Sequence, residues 1–197
     1  DHFVMLTENY SQMGSLLVDT TNEAVKAFEA TFSLWIGGGD HADGFSFGYG
    51  PIPNGAVFGE DGYGSKPGLW VTFDTYDNGS PDLVGIEVWY NGSRRDYYYW
   101  TPTSYSVSRL ATGQWEPVTI SMSSAGYLTL RHSFFETGER TIYVSGWSPS
   151  SSWRFGAGAR TGGAWDYHAV DTMKILDYTQ RSYTTTVTSS ATNEYVL

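Results

Sequence analysis

The chain has 197 residues, no cysteine, 23 glycines and 17% aromatic residues, and its 11 Lys+Arg against 21 Asp+Glu leave a net charge of −10. Without cysteine there are no disulfides, thiol nucleophiles, cysteine-bound zinc or iron–sulfur clusters. No apolar run approaches the roughly 18 residues of a membrane-spanning helix, so no membrane insertion is expected. The acidic balance, with lysine only at Lys26, Lys66 and Lys174, opposes nucleic acid and anionic lipid and is compatible with cations or neutral polyols. A chain of this length can bury a core without covalent staples, and one domain spanning 1–197 is expected.

Taken in chain order, the elements are short and β-like. Thr21 to Phe28 has a brief helical flavour, and from Ala27 to Ile36 apolar residues fall at Phe28, Phe32, Leu34 and Ile36 until Gly37-Gly38-Gly39 stops the strand. Gly44 to Tyr49 alternates Phe with small residues, and Pro51 and Pro53 break it. Leu69–Asp74 and Leu83–Tyr90 are two further strands around a polar loop, and Asn91-Gly92 is a type I′ hairpin signal because both residues tolerate positive φ. Trp115–Met122, Tyr127–Arg131, Arg140–Val144, Trp153–Ala159 and Val170–Leu176 continue the series. The Thr- and Ser-rich segment from Arg181 to Leu197 reads as a closing strand or a frayed end. Many short strands separated by turns predict an all-β, antiparallel β-sandwich and exclude βαβ units.

The densest set of oxygen ligands is Asp74-x-Tyr76-Asp77-Asn78-x-x-x-Asp82. Carboxylates, an amide oxygen and a backbone carbonyl on one loop are what a hard cation such as Ca²⁺ requires. The spacing is not that of an EF-hand: Gly79 stands at the sixth position, but Tyr76 occupies the third and the twelfth lacks Glu. Asp, Asn and Gly also make ordinary turns. Two other segments carry polar groups: His41-Ala42-Asp43-Gly44-Phe45-Ser46-Phe47, and Phe155 to Asp166, where a strand runs into a Gly-rich loop with Trp165 at its tip.

In their order, Ala-Asp-Gly-Phe-Ser-Phe from Ala42, Val-Thr-Phe-Asp-Thr-Tyr-Asp-Asn from Val71, Val-Gly-Ile-Glu-Val from Val84 and Phe-Gly-Ala-Gly-Ala-Arg-Thr-Gly-Gly from Phe155 resemble the L-type (legume-type) lectins of the concanavalin A-like superfamily, over about 28–176. The resemblance implies a jelly roll and a non-catalytic, calcium-dependent glycan-binding domain. By position, Asp43 would follow a cis peptide and accept hydrogen bonds from sugar hydroxyls, beside Gly44. Asp74, the Tyr76 carbonyl, Asn78 and Asp82 would hold calcium, and Asn78 would also donate to the sugar. Asn78 and Asp82 stand closer than in the plant proteins, which makes Asp77 the substitute for Asp82. Gly163 and Trp165 would sit on the loop that tunes sugar choice, with Trp165 either exposed or capping the sandwich edge. Thr72 and Val84 replace the plant family's second-metal Glu and His, so calcium alone is expected, as in the animal cargo-receptor lectins. A homodimer through sheet pairing is common in that family.

The residues also support plainer readings. His41 and His168, in polar glycine-rich surroundings, read as surface histidines, and Tyr97-Tyr98-Tyr99-Trp100 on a strand would send half its rings inward. Asn78-Gly79-Ser80 and Asn91-Gly92-Ser93 are sequons better explained as turns. The same scaffold hosts glycoside hydrolases and polysaccharide lyases, but retaining glycosidases need two carboxyls about 5 Å apart. A Glu-x-Asp-x-Glu run and a Gly-x-Ser-x-Gly elbow are both absent. A structural or adhesive jelly roll without a sugar site is the main alternative. The absence of cysteine suits a bacterial exported protein, and an extracellular or cell-surface location is expected.

Overall fold

From Phe28 to Gly37 every second side chain is apolar and shielded, and this alternation builds the first long strand of the sandwich. The computed structural model describes residues 3–20, 22–79, 84–99, 109–179 and the backbone of 193–196. Thirteen strands are assigned in this range: β1 (Val4–Thr7), β2 (Met13–Val18), β3 (Phe28–Gly37), β4 (Gly44–Gly50), β5 (Leu69–Asp74), β6 (Gly85–Tyr90), β7 (Ser93–Tyr99), β8 (Trp115–Met122), β9 (Tyr127–Arg131), β10 (Glu139–Tyr143), β11 (Arg154–Arg160), β12 (Tyr167–Asp177) and β13 (Asn193–Val196). One sheet runs β1-β12-β3-β8-β9-β10 with β13 also paired to β12, and the other runs β2-β11-β4-β5-β6-β7. All the strand pairs are antiparallel.

The two sheets enclose one main core. Phe28, Phe32 and Leu34 from the seven-stranded sheet meet Phe45, Phe47 and Phe155 from the other. Phe32 stacks on Phe47 with ring centres 5.7 Å apart, and Tyr49 stacks on Phe155 at 4.2 Å. A second, smaller core lies on the outer face of the six-stranded sheet, where the segment between β4 and β5 folds back. There Ile52 and Phe58 bury Trp70 of β5, with Phe58 edge-on to the indole at 5.1 Å.

The hairpin expected at Asn91-Gly92 joins β6 to β7, with φ of 49° and 73° at the two residues. Asn91 Oδ1 accepts a hydrogen bond from the Gly68 amide, so its side chain serves the turn. Two sequence expectations are corrected. Residues 22–27 contain no helix and Phe28 opens β3; the Val25 amide instead donates to the Tyr49 hydroxyl, which anchors this segment across the core. His168 is a core residue with no exposed surface, because its strand β12 turns it inward toward Thr7. Within the Tyr97–Tyr99 run, Tyr98 packs against the core while Tyr97 and Tyr99 stack on each other; Trp100 lies outside the described residues. Of the C-terminal segment, Asn193–Val196 pairs with Lys174–Asp177 as a closing strand.

Candidate functional site

The first residue of β4 pairs with the last of β5, Gly44 opposite Asp74, so two of the three polar segments reach one rim of the six-stranded sheet. Gly44 has φ of +152°, and a Cβ there would stand 2.2 Å from the Phe73 carbonyl oxygen, so glycine is required at this crossing. Asp43 precedes it through a cis peptide bond from Ala42, as the lectin resemblance implies. Its backbone is held on both sides: the Asp43 amide donates to the Arg160 carbonyl, and its carbonyl accepts from the Thr75 amide, each at 3.0 Å. The third segment enters through Gly162, where a Cβ would lie 3.2 Å from Asp43 Oδ2. Gly163 next to it faces open space.

Asp43 is also gripped by its side chain. Arg160 Nε lies 3.4 Å from Asp43 Oδ2 and donates to Glu60 Oε2 at 3.1 Å, while Nη2 meets Glu60 Oε1 at 2.5 Å. One guanidinium therefore joins the rim carboxylate to a second, deeper one. Burial pushes the Glu60 carboxyl above its ordinary range, and the Arg160 charge opposes that shift without cancelling it.

A separate network ties the loop before Asp43 to the loop after Arg160. Asp166, fully buried, accepts from the Gly39 amide at 2.9 Å, and its other oxygen lies 3.8 Å from His41 Nδ1. The Asp40 amide donates to the Trp165 carbonyl at 2.6 Å, and the Tyr10 hydroxyl donates to Asp40. Trp165 is half-buried, edge-on to Tyr10 and Tyr167 at 5.8 and 5.0 Å.

The oxygen-rich loop leaves the same rim. Asp74 is partly buried, and its Oδ1 accepts from the Tyr76 amide at 2.9 Å; Asp77 Oδ1 likewise accepts from the Gly79 amide. Tyr76, Asp77 and Asn78 are exposed, and Asp82 lies outside the described residues. The donors are all oxygen, which suits a hard cation. Among the described residues, however, no three His, Asp or Glu side chains converge on one point, so an ion held here would rely on the Tyr76 carbonyl and the Asn78 amide oxygen as well.

Asp43, Gly44, Asp74 and Gly163 thus belong to three chain segments that meet at one rim. Glu60, Arg160 and Asp166 were not singled out by sequence reasoning. Glu60 stands outside every motif, an acid in a glycine-flanked loop, whereas Arg160 and Asp166 lie within the Phe155–Asp166 segment without a role assigned to either.

No family model and no curated protein sequence matches the chain. Solved structures do. The VIP36 exoplasmic/lumenal domain in its Ca²⁺/Man3GlcNAc-bound form is 22% identical, with a TM-score of 0.67 over 92% of this chain and 81% of that one. Lectin II from Ulex europaeus is 19% identical with a TM-score of 0.63, and lectin I-B4 from Griffonia simplicifolia is 19% identical with a TM-score of 0.65; each match covers 88% of this chain and 86% of the lectin. The class these likenesses define is the L-type lectin fold, an all-β antiparallel jelly roll, and this chain has that fold.

Proposed function

We propose that the chain is a non-catalytic, calcium-dependent carbohydrate-binding domain. The observation that carries this reading is the meeting of Asp43, Asp74 and the Gly162-Gly163 turn at one rim, from segments far apart in sequence. Asp43 offers a carboxylate that is 14% exposed and paired with Arg160, on a backbone bonded at both its amide and its carbonyl, which lowers the ordering cost when a hydroxyl docks. Hydrogen bonds from sugar hydroxyls to an ionised carboxylate are stronger than neutral ones. The open space at Gly163 leaves room for a ring.

Calcium would be held by Asp74, the Tyr76 carbonyl and Asn78, with Asp82 or Asp77 completing the set. When bound it would supply rigidity to the loop and take no part in bond making. Asn78 would then present its amide hydrogens toward the sugar. The neighbours with known ligands, such as VIP36 bound to Ca²⁺ and mannose, support the assignment of glycans as the partner class and an extracytoplasmic location. Catalysis is not favoured by the arrangement at the rim: one guanidinium engages both Asp43 and Glu60, which holds the two carboxyls in an ion-pair network.

A glycan array probed with calcium and with chelator tests the proposal. Binding in calcium, its loss in chelator and its loss in Asp43→Ala are expected. Glycan binding that survives Asp43→Ala would place the sugar elsewhere.

A further inference from the structure

Beside the rim, the segment between β4 and β5 forms one wall of a cleft of about 220 Å³, and none of the residues that the lectin resemblance assigns to sugar or calcium lines it. Arg160 and Glu60 form its polar side, and Met13, Val57 and Tyr63 contribute apolar surface. Glu60 is 8% exposed, whereas Val57 and Met13 are 60% and 48% exposed.

This combination is poorly explained by folding alone. A pair in which the carboxylate is buried and the guanidinium is 44% exposed adds little net stability, since desolvation of the acid and solvation of the arginine offset most of the attraction. Large apolar side chains left open beside it gain nothing from the core. A concave site with apolar walls and a few convergent polar groups is the pattern of a ligand pocket, and a carboxyl whose pKa is raised by burial is a common companion. The cleft is smaller than the roughly 300 Å³ at which pockets for larger ligands begin, which limits it to one ring. Glu60 and Asp61 against Arg160 leave its lining net negative, and this disfavours an anionic ligand.

We propose that this cleft is a second sugar subsite, taking the neutral pyranose linked to the one bound at Asp43. Its hydroxyls donate to Glu60 and accept from Arg160, and Val57 and Met13 cover its C–H face. Arg160 touches both Asp43 and Glu60, so the two subsites share one guanidinium and lie close enough for adjoining residues of a single glycan. This inference rests on the carbohydrate reading of the Asp43 rim.

The test is calorimetric titration, in calcium, with mannose, glucose, galactose and N-acetylglucosamine and with the α- and β-linked homodisaccharides of each. Wild type is expected to bind one disaccharide about tenfold tighter than its monosaccharide. Val57→Trp, which obstructs the cleft, and Val57→Ser, which removes its apolar cover, should each reduce that advantage while leaving monosaccharide affinity within about twofold; the position is exposed enough that folding is retained. Asp43→Ala should abolish both. If monosaccharide binding depends on Asp43 but no disaccharide gains, or the gain persists in both Val57 variants, the second subsite is overturned and the rim stands. If wild type binds none of these sugars, both fall. A digalacturonide that outbinds every neutral disaccharide would overturn the neutral-ligand assignment.

Discussion

Arg160 carries more of the site than its place at the end of a strand suggests. Its backbone carbonyl receives the Asp43 amide, and its guanidinium holds both Asp43 and Glu60. The Asp43 backbone is held on both sides by main-chain bonds that do not depend on its carboxylate. Asp43→Ala should keep a cooperative melting transition, because the main-chain bonds to Arg160 and Thr75 remain, while glycan binding is lost. Gly44 is the opposite case. A methyl group there meets the Phe73 carbonyl oxygen at 2.2 Å in a backbone conformation that L residues rarely adopt. Gly44→Ala should therefore cost at least about 2 kcal/mol, with glycan binding falling alongside the melting temperature.

At the scale of the element, strands with strict alternation were legible in the sequence and those without it were not. Phe45, Phe47 and Tyr49 mark one face of β4, and Phe28, Phe32, Leu34 and Ile36 one face of β3, so their existence and their buried sides followed from period two. β1 and β2 are short, with mixed burial, and their apolar residues do not alternate cleanly, so only pairing with β12 and β11 defines them. The rim was legible in part. Asp43, Asp74 and the glycine turn stand in recognisable local motifs, whereas Glu60 and Arg160 meet across 100 residues of chain and have no spacing that announces them. His168 was misread because polar neighbours in sequence say nothing about which face of β12 a side chain takes.

The oxygen-rich loop after β5 is where an ion would act on stability. If calcium binds only the folded chain, a concentration about 100 times its dissociation constant adds about 2.7 kcal/mol. For a domain of this size that is a rise in melting temperature of roughly 5–10 °C, reversed by chelator. An unchanged melting curve between millimolar calcium and excess chelator would remove the metal from the account.

For the whole molecule, acidity is the simplest probe. Burial lowers the pKa of His168 to about 3, and burial, with the Arg109 charge adding, lowers that of His132 to about 4. The unfolded chain protonates both near their ordinary value of about 6.5. Between these limits the unfolded state binds more protons, so stability is full above about pH 6.5 and falls as the pH drops toward the folded values. Each histidine contributes up to about 1.4 kcal/mol per pH unit. Melting temperatures measured from pH 7.5 to 4.5 should decline, and His168→Asn should flatten that decline relative to its own value at pH 7.5. Equal slopes for wild type and His168→Asn across this range would refute the histidine contribution.

The smaller core outside the six-stranded sheet gives the molecule a second, shallower apolar cluster beside the main one. Phe58 sits directly over Gly158, where a Cβ would come within 2.5 Å of its ring, and its other main neighbour is Trp70. Withdrawing Phe58 would loosen the span between β4 and β5, which would still be held by Ser46 to the Gly59 carbonyl, Arg154 to the Ile52 carbonyl and Arg160 to Glu60, while every aromatic contact between the two sheets stayed in place. Such a sub-global opening costs less than unfolding. Amides of this span should exchange with solvent before those of β3 and β12, so the wall beside the rim is the part of the surface whose order a bound glycan would raise most.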